Sequence, residues 1–144
     1  MLHAPADTKP VLVRLDLKVQ TYDIDFARHV NNQVYVRWLE DLRMELLRAH
    51  YPLEQCINED IAPVLAATHI TYQRAITILD RPWAHMWVTS MSQASFLLEA
   101  EFFVDDRRCA HATQRGAFLN LATGRPIRVP AKLSALFKQE AGLA

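Results

Sequence analysis

Residues 21–41 read TYDIDFARHVNNQVYVRWLED, and this stretch decides how the rest of the chain is understood. Asp23, Asp25, His29, Asn31 and Asn32 crowd into ten residues immediately before a regular amphipathic pattern. From Val34 onward Tyr35, Trp38, Leu39, Leu42, Leu46 and Ala49 recur at helical spacing, with Arg37, Glu40, Asp41, Arg43 and Met44 off that stripe. Tyr51-Pro52 should end the helix, because proline cannot continue it and restricts the residue before it.

Upstream, VLVRLDLKVQ (residues 11–20) alternates apolar and polar side chains and predicts a half-buried strand. Downstream, the pattern predicts strands over about 63–78, 83–92, 96–104 and 109–122, the last two joined by a tight Asp105-Asp106-Arg107-Arg108 connection. AKLSALFKQ then predicts a short terminal helix with Leu133, Leu136 and Phe137 on its apolar side. One strand, one long helix and a run of strands point to an α+β fold with an antiparallel sheet. The 144 residues fit one domain, 1–144. Strands such as HMWVTSM and FLLEAEFFV carry apolar residues on both faces, so self-association is expected to cover a surface that one helix cannot.

Sixteen basic and sixteen acidic side chains balance, which gives no support to nucleic-acid binding. No apolar run approaches the ~20 residues of a membrane span, and MLHAPADTKP lacks the charge and apolar core of a secretion signal. Cys56 and Cys109 form no close pair, so free thiols and a cytoplasmic location are expected. The three glycines make no phosphate-cradling loop, GxSxG is missing, and the six histidines show no metal-ligand spacing. No cofactor or metal is expected. The junction is the one dense reactive cluster.

It admits two readings. Asp23 and Asp25 can be turn formers, Asn31 or Asn32 the helix N-cap, and His29 a loop histidine held by a carbonyl. Alternatively, a helix N-terminus with free N–H groups receives a developing oxyanion while a nearby carboxylate acts on the bound carbonyl carbon. That carboxylate can serve as general base on water or as nucleophile.

Tyr22-Asp23-Ile24-Asp25, His29-Val30-Asn31-Asn32, Tyr35 and Trp38 together resemble the segment joining first strand to central helix in hot-dog-fold acyl thioesterases. That family includes 4-hydroxybenzoyl-CoA thioesterase-like enzymes and, in the HVNN wording, plant acyl-carrier-protein thioesterases. ITYQRAITILDRPW and TGRPIRVP are similar to later segments of the same family. The resemblance implies a five-stranded antiparallel sheet wrapped around one long central helix, and homodimers or homotetramers with interfacial sites. It implies acyl-CoA or acyl-ACP as substrate, Asp25 as the catalytic carboxylate and the Asn32 N–H as the group polarising the thioester carbonyl. His29 is a secondary candidate, for orienting water or substrate. The plant DxNxH pattern is matched at Asp25 and His29, but Ala27 stands in place of its Asn, and Arg28 stands where bacterial relatives often have Gly.

CoA phosphates call for basic side chains near the pocket, and Arg74, Arg81, Arg125 and Arg128 are the candidates, with Lys132 beside the last two. Glu40 and Asp41 look like a solvated helix face, and Glu99 and Glu101 like strand-surface charges with no role. Two further functions stay open. One is a non-catalytic acyl-binding protein. The other is an enoyl-CoA hydratase or dehydratase, whose DxNPxH arrangement is shared only at Asp25 and His29.

Overall fold

The computed structural model describes residues 1–143. Its elements are β1 (Leu2–His3), β2 (Val13–Asp16), a single 3-10 turn (Thr21–Asp23), α1 (Asn32–His50), α2 (Leu53–Glu59), β3 (Ile61–Tyr72), β4 (Pro82–Met91), β5 (Phe96–Val104), β6 (Arg107–Asn120), β7 (Pro126–Ile127) and α3 (Ala131–Glu140). All pairings are antiparallel. β1 and β2 share the edge beside β4, followed by β5, β6 and β3, while β7 extends the lane beside β6 that β5 leaves beyond Phe96. Five lanes therefore wrap one long helix, which is the hot-dog arrangement.

β5 shows why the sheet has two distinct faces. Phe96, Leu98, Ala100, Phe102 and Val104 are buried against α1, while Leu97, Glu99, Glu101 and Phe103 alternate outward. α1 answers with Val34, Tyr35, Trp38, Leu39, Leu42, Leu46 and Leu47, all buried. The rings of Tyr35, Trp38 and Phe102 meet at 5.2–6.1 Å between centroids. Ala49, expected on the stripe, is exposed, and Leu47 takes the inward position in the last turn.

Several boundaries differ from expectation. The alternation at 11–20 yields only four residues of β2, because Val11 adopts φ 56° and breaks the strand on one side. β3 stops at Tyr72 rather than near 78: the N–H groups of Gln73 and Arg74 both donate to the Cys109 carbonyl, at 2.8 and 3.0 Å, and turn the chain out of the sheet. The β5–β6 turn is narrower than expected, with Asp105-Asp106 as its loop and Arg107 and Arg108 already paired. α2 was not expected, since LEQCINE buries only Cys56 and carries no apolar stripe to announce it. The terminal helix forms as expected, burying Leu133 and Phe137.

β3 and β6 come very close where the register shifts between Leu65 and Ala67. Gly116 permits this approach, because a Cβ there collides with the Val64 carbonyl and the Phe96 ring. No described helix is long and apolar enough to cross a membrane.

Candidate active site

The junction is built from a loop pinned at its base. Ile24 and Val30 form an isolated bridge, the Val30 N–H donates to the Ile76 carbonyl at 2.8 Å, and the Asn31 N–H donates to the Asp23 carbonyl at 2.8 Å. Residues 25–29 form a tight turn on this base. The Asp25 N–H donates to the His29 carbonyl and the Arg28 N–H to the Asp25 carbonyl, both at 2.9 Å. Arg28 takes φ 66°, a left-handed conformation that glycine adopts more readily.

Asp23 and Asp25 have different surroundings. The Asp23 side chain is 1% exposed; its Oδ2 accepts the Gln20 N–H at 2.8 Å and its Oδ1 accepts from the Arg37 guanidinium at 2.6 Å. That bond, with the nearby negative charge, raises Arg37 above its ordinary value. Both Asp23 oxygens are consumed by structure. Asp25 is partly exposed, and its Oδ1 accepts the Ala27 N–H at 2.9 Å in an Asx-type turn. Its Oδ2 has no protein partner among the described residues.

At the helix start Asn31 is the N-cap, its Oδ1 accepting the Gln33 N–H at 2.9 Å. Asn32 is the first helical residue, and its N–H meets no protein acceptor among the described residues. Tyr72 at the end of β3 donates its hydroxyl to the Asn32 carbonyl at 3.3 Å, fixing that peptide against the sheet. Burial raises the Tyr72 phenol above its ordinary value, so it remains a donor. The His29 side chain is exposed and makes no hydrogen bond to described residues. One loop and one helix end thus present a carboxylate oxygen and a backbone N–H, both unoccupied by protein.

The four arginines divide into two pairs. Arg74 and Arg81 are exposed in the β3–β4 connection, at the end of the sheet where Tyr72 meets Asn32. Arg125 and Arg128 are exposed around β7, beyond Asn120. The length of β6 from Ala110 to Asn120, about 33 Å, separates the two ends. Within one chain the structure does not bring all four together.

Two polar groupings escaped the sequence. On the outer sheet face His111 meets Glu99 at 2.6 Å, His85 meets Glu101 at 2.8 Å, and Arg108 bonds the second Glu101 oxygen at 2.8 Å. Burial pushes Glu101 up, but the bonds from His85 and Arg108 outweigh it and hold the carboxyl below its ordinary value. On the inner face Arg43 donates to Gln114 Oε1 at 2.7 Å, and the Gln114 amide donates to Thr68 at 3.1 Å. Both are cross-strand or helix-to-strand contacts, so only the register reveals them. Among the described residues no three His, Cys, Asp or Glu side chains gather closely enough to hold a metal ion.

A family model described as thioesterase-like superfamily matches residues 19–137. No functionally curated protein matches the chain. Among solved structures, a thioesterase from Thermus thermophilus complexed with coenzyme A and zinc is 20% identical over 94% of this chain and 98% of its own, with TM-score 0.78. A hypothetical protein from Staphylococcus aureus in complex with CoA is 16% identical over 96% and 89%, with TM-score 0.85. A probable thioesterase from Bartonella henselae is 20% identical over 83% and 99%, with TM-score 0.76. At these identities the likeness is one of fold.

Proposed function

Because the chain belongs to the thioesterase-like superfamily, we propose that it hydrolyses acyl-CoA thioesters to free acid and thiol, with Asp25 as the catalytic carboxylate. The observation that carries this reading is the pairing of a free Asp25 Oδ2 with an unpartnered Asn32 N–H at the two ends of one pinned loop. The thioester carbonyl oxygen accepts the Asn32 N–H, where the helix end favours negative charge. Asp25 then either takes a proton from water as that water attacks the carbonyl carbon, or attacks the carbon itself. In the first case the tetrahedral oxyanion collapses, the C–S bond breaks, and the thiolate leaves and is protonated. In the second, a mixed anhydride forms with loss of thiolate, and water then cleaves it to restore the carboxylate. His29, exposed beside the turn, orients water or the carbonyl. Ala27 supplies no side-chain amide, so its N–H holding Asp25 replaces the Asn-assisted arrangement. Acyl carrier protein is the alternative thiol carrier.

Arg74 and Arg81 suit the CoA phosphates at this end of the sheet. β3 is an edge strand with Val64 and Leu65 exposed along it. Antiparallel pairing of two β3 edges makes a homodimer and carries the partner's Arg125 and Arg128 toward Asp25. This supports a dimeric site, with the homotetramer as a further pairing.

The test is thiol release from short, long and aromatic acyl-CoAs by the wild type and Asp25→Asn. A fall of about a hundredfold or more in the folded variant is expected. Equal turnover by both proteins would sink the assignment and return attention to Glu40 on α1. No turnover by the wild type on CoA or carrier-protein thioesters would favour the acyl-binding reading.

A further inference from the structure

The chain leaves the sheet after Tyr72, and residues 72–76 touch both halves of the candidate site. The Tyr72 hydroxyl donates to the Asn32 carbonyl at 3.3 Å, and the Ile76 carbonyl accepts the Val30 N–H at 2.8 Å. Ile76 is fully buried, so its carbonyl anchors the base of the Asp25 turn. The exit from β3 is less secure. The Gln73 and Arg74 N–H groups converge on one oxygen, that of Cys109, and two donors on a single atom leave a pivot about it. Among the described residues, 75–81 bond only to one another, at Thr77 and Asp80, and to Val30.

Arg108 braces that pivot from the neighbouring position on β6. Its Nε donates to Gln73 Oε1 at 2.9 Å, and its Nη1 donates to Glu101 Oε2 at 2.8 Å. His85 holds the other Glu101 oxygen at 2.8 Å, so the carboxylate that aims Arg108 is fixed from both sides. Glu101 and His85 are half-buried, whereas Gln73 is exposed. The guanidinium is a planar fork, and engaging it at two N–H groups fixes its plane as well as its position. The Gln73 bond lies off the Cys109 pivot and therefore removes the rotation left to the exit. An exposed ion pair adds little to global stability, so the brace acts locally.

We propose that Arg108 is a positioning residue for the thioester reaction. Through Gln73 it holds residues 72–76 against the junction, and so keeps Asp25 and the Asn32 N–H in their relative places. The catalytic consequence rests on the Asp25 reading above; the hold on the loop rests on the bonds themselves. Misplaced reacting groups cost rate while ground-state binding is retained, so the loss falls on kcat. Arg74 in the same segment sets the contrast, since a brace that served only its grip on CoA phosphate would act on KM.

The experiment measures acyl-CoA turnover and amide hydrogen exchange in the full chain for the wild type, Arg108→Met, Arg108→Lys, Gln73→Leu and the double variant carrying Arg108→Met and Gln73→Leu. Arg108→Met is expected to lower kcat about fivefold to tenfold with KM unchanged. The Val30 amide should exchange about tenfold faster, while that of Ala100 in the middle of β5 keeps its rate. Gln73→Leu should match these effects, and the double variant should be no worse than either single change, because the same bond is lost in all three. Arg108→Lys keeps the charge without the fork and should recover part of kcat. In an Asp25→Asn background Arg108→Met should add little, since the group it positions is gone. Losses that multiply in the double variant, an effect on KM alone, or an unchanged Val30 rate overturn the proposal; so does equal acceleration at Ala100, which marks general destabilisation. If Asp25→Asn turns over like the wild type, or the wild type cleaves no thioester, the Asp25 reading fails by itself, and the Val30 rate still decides whether Arg108 holds the loop.

Discussion

The loop ahead of α1 has two halves made of similar residues and put to opposite uses. In the first, Gln20–Asp23, the carboxylate is fully engaged by the fold: Asp23 and Gln20 cap each other across the 3-10 turn, and Arg37 reaches back from the helix to the same carboxylate. In the second, Asp25–His29, Phe26 is fully exposed, Arg28 holds a left-handed backbone, and Asp25 keeps an oxygen free. Polar density alone therefore does not mark chemistry. The difference lies in which carboxylate the fold has already satisfied, and strain left uncompensated by packing points to the second half.

Substitutions can break this comparison. Asp25→Asn carries the largest expected effect, the hundredfold loss of turnover described above, with Tm unchanged because the turn needs only one Asp25 oxygen. Asp23→Ala should do the reverse. It strands the Gln20 N–H and releases Arg37, so thermal denaturation should show a loss of about 1–3 kcal/mol, with a much smaller loss of turnover per folded molecule. Equal damage to activity from both changes would erase the distinction between the halves.

The outer-face carboxylates sharpen it, since they too are engaged by the fold. Glu101 sits below its ordinary value of 4.5 in the folded chain, so its stabilisation is present above that value and is lost as pH falls through the lower folded value. Tm measured across that acid range should fall more steeply in the wild type than in Glu101→Gln. The smallest effect is expected at Arg28→Gly. Relief of a left-handed side-chain conformation outweighs the entropy of an added glycine by about 0.5 kcal/mol, readable as a slight rise in the denaturation midpoint.

The order of elements and the helix stripe were legible because each follows from local periodicity, and β5 matches its expected bounds at 96–104. The candidate pair Asp25 and Asn32 was legible only through family resemblance, since turn formers and catalytic carboxylates share one sequence pattern. Periodicity failed where a tertiary contact decides the outcome. Val11 leaves the strand although its neighbours alternate, and Gln73 turns because one carbonyl on β6 receives two N–H groups. Glu99 and Glu101 read as idle surface charges because their histidine partners lie on other strands: His85 on β4 stands directly opposite Glu101, and His111 on β6, opposite Glu101, reaches Glu99 diagonally. The Arg43–Gln114–Thr68 chain crosses three elements and has no local signature at all.

The β3–β6 pairing also sets an order of assembly. β4, β5 and β6 follow one another through short turns, whereas β3 must find β6 across both, with Ile61 opposite Asn120 and Tyr72 opposite Ala110. Closing that longer loop costs more chain entropy than either hairpin, so β3 joins β6 only after the β4–β5 and β5–β6 hairpins have formed. Tyr72, which steadies the first peptide of α1, arrives with it. The strand that steadies the start of α1 therefore docks late, so the candidate site takes its final shape only after the hairpins beside it have closed.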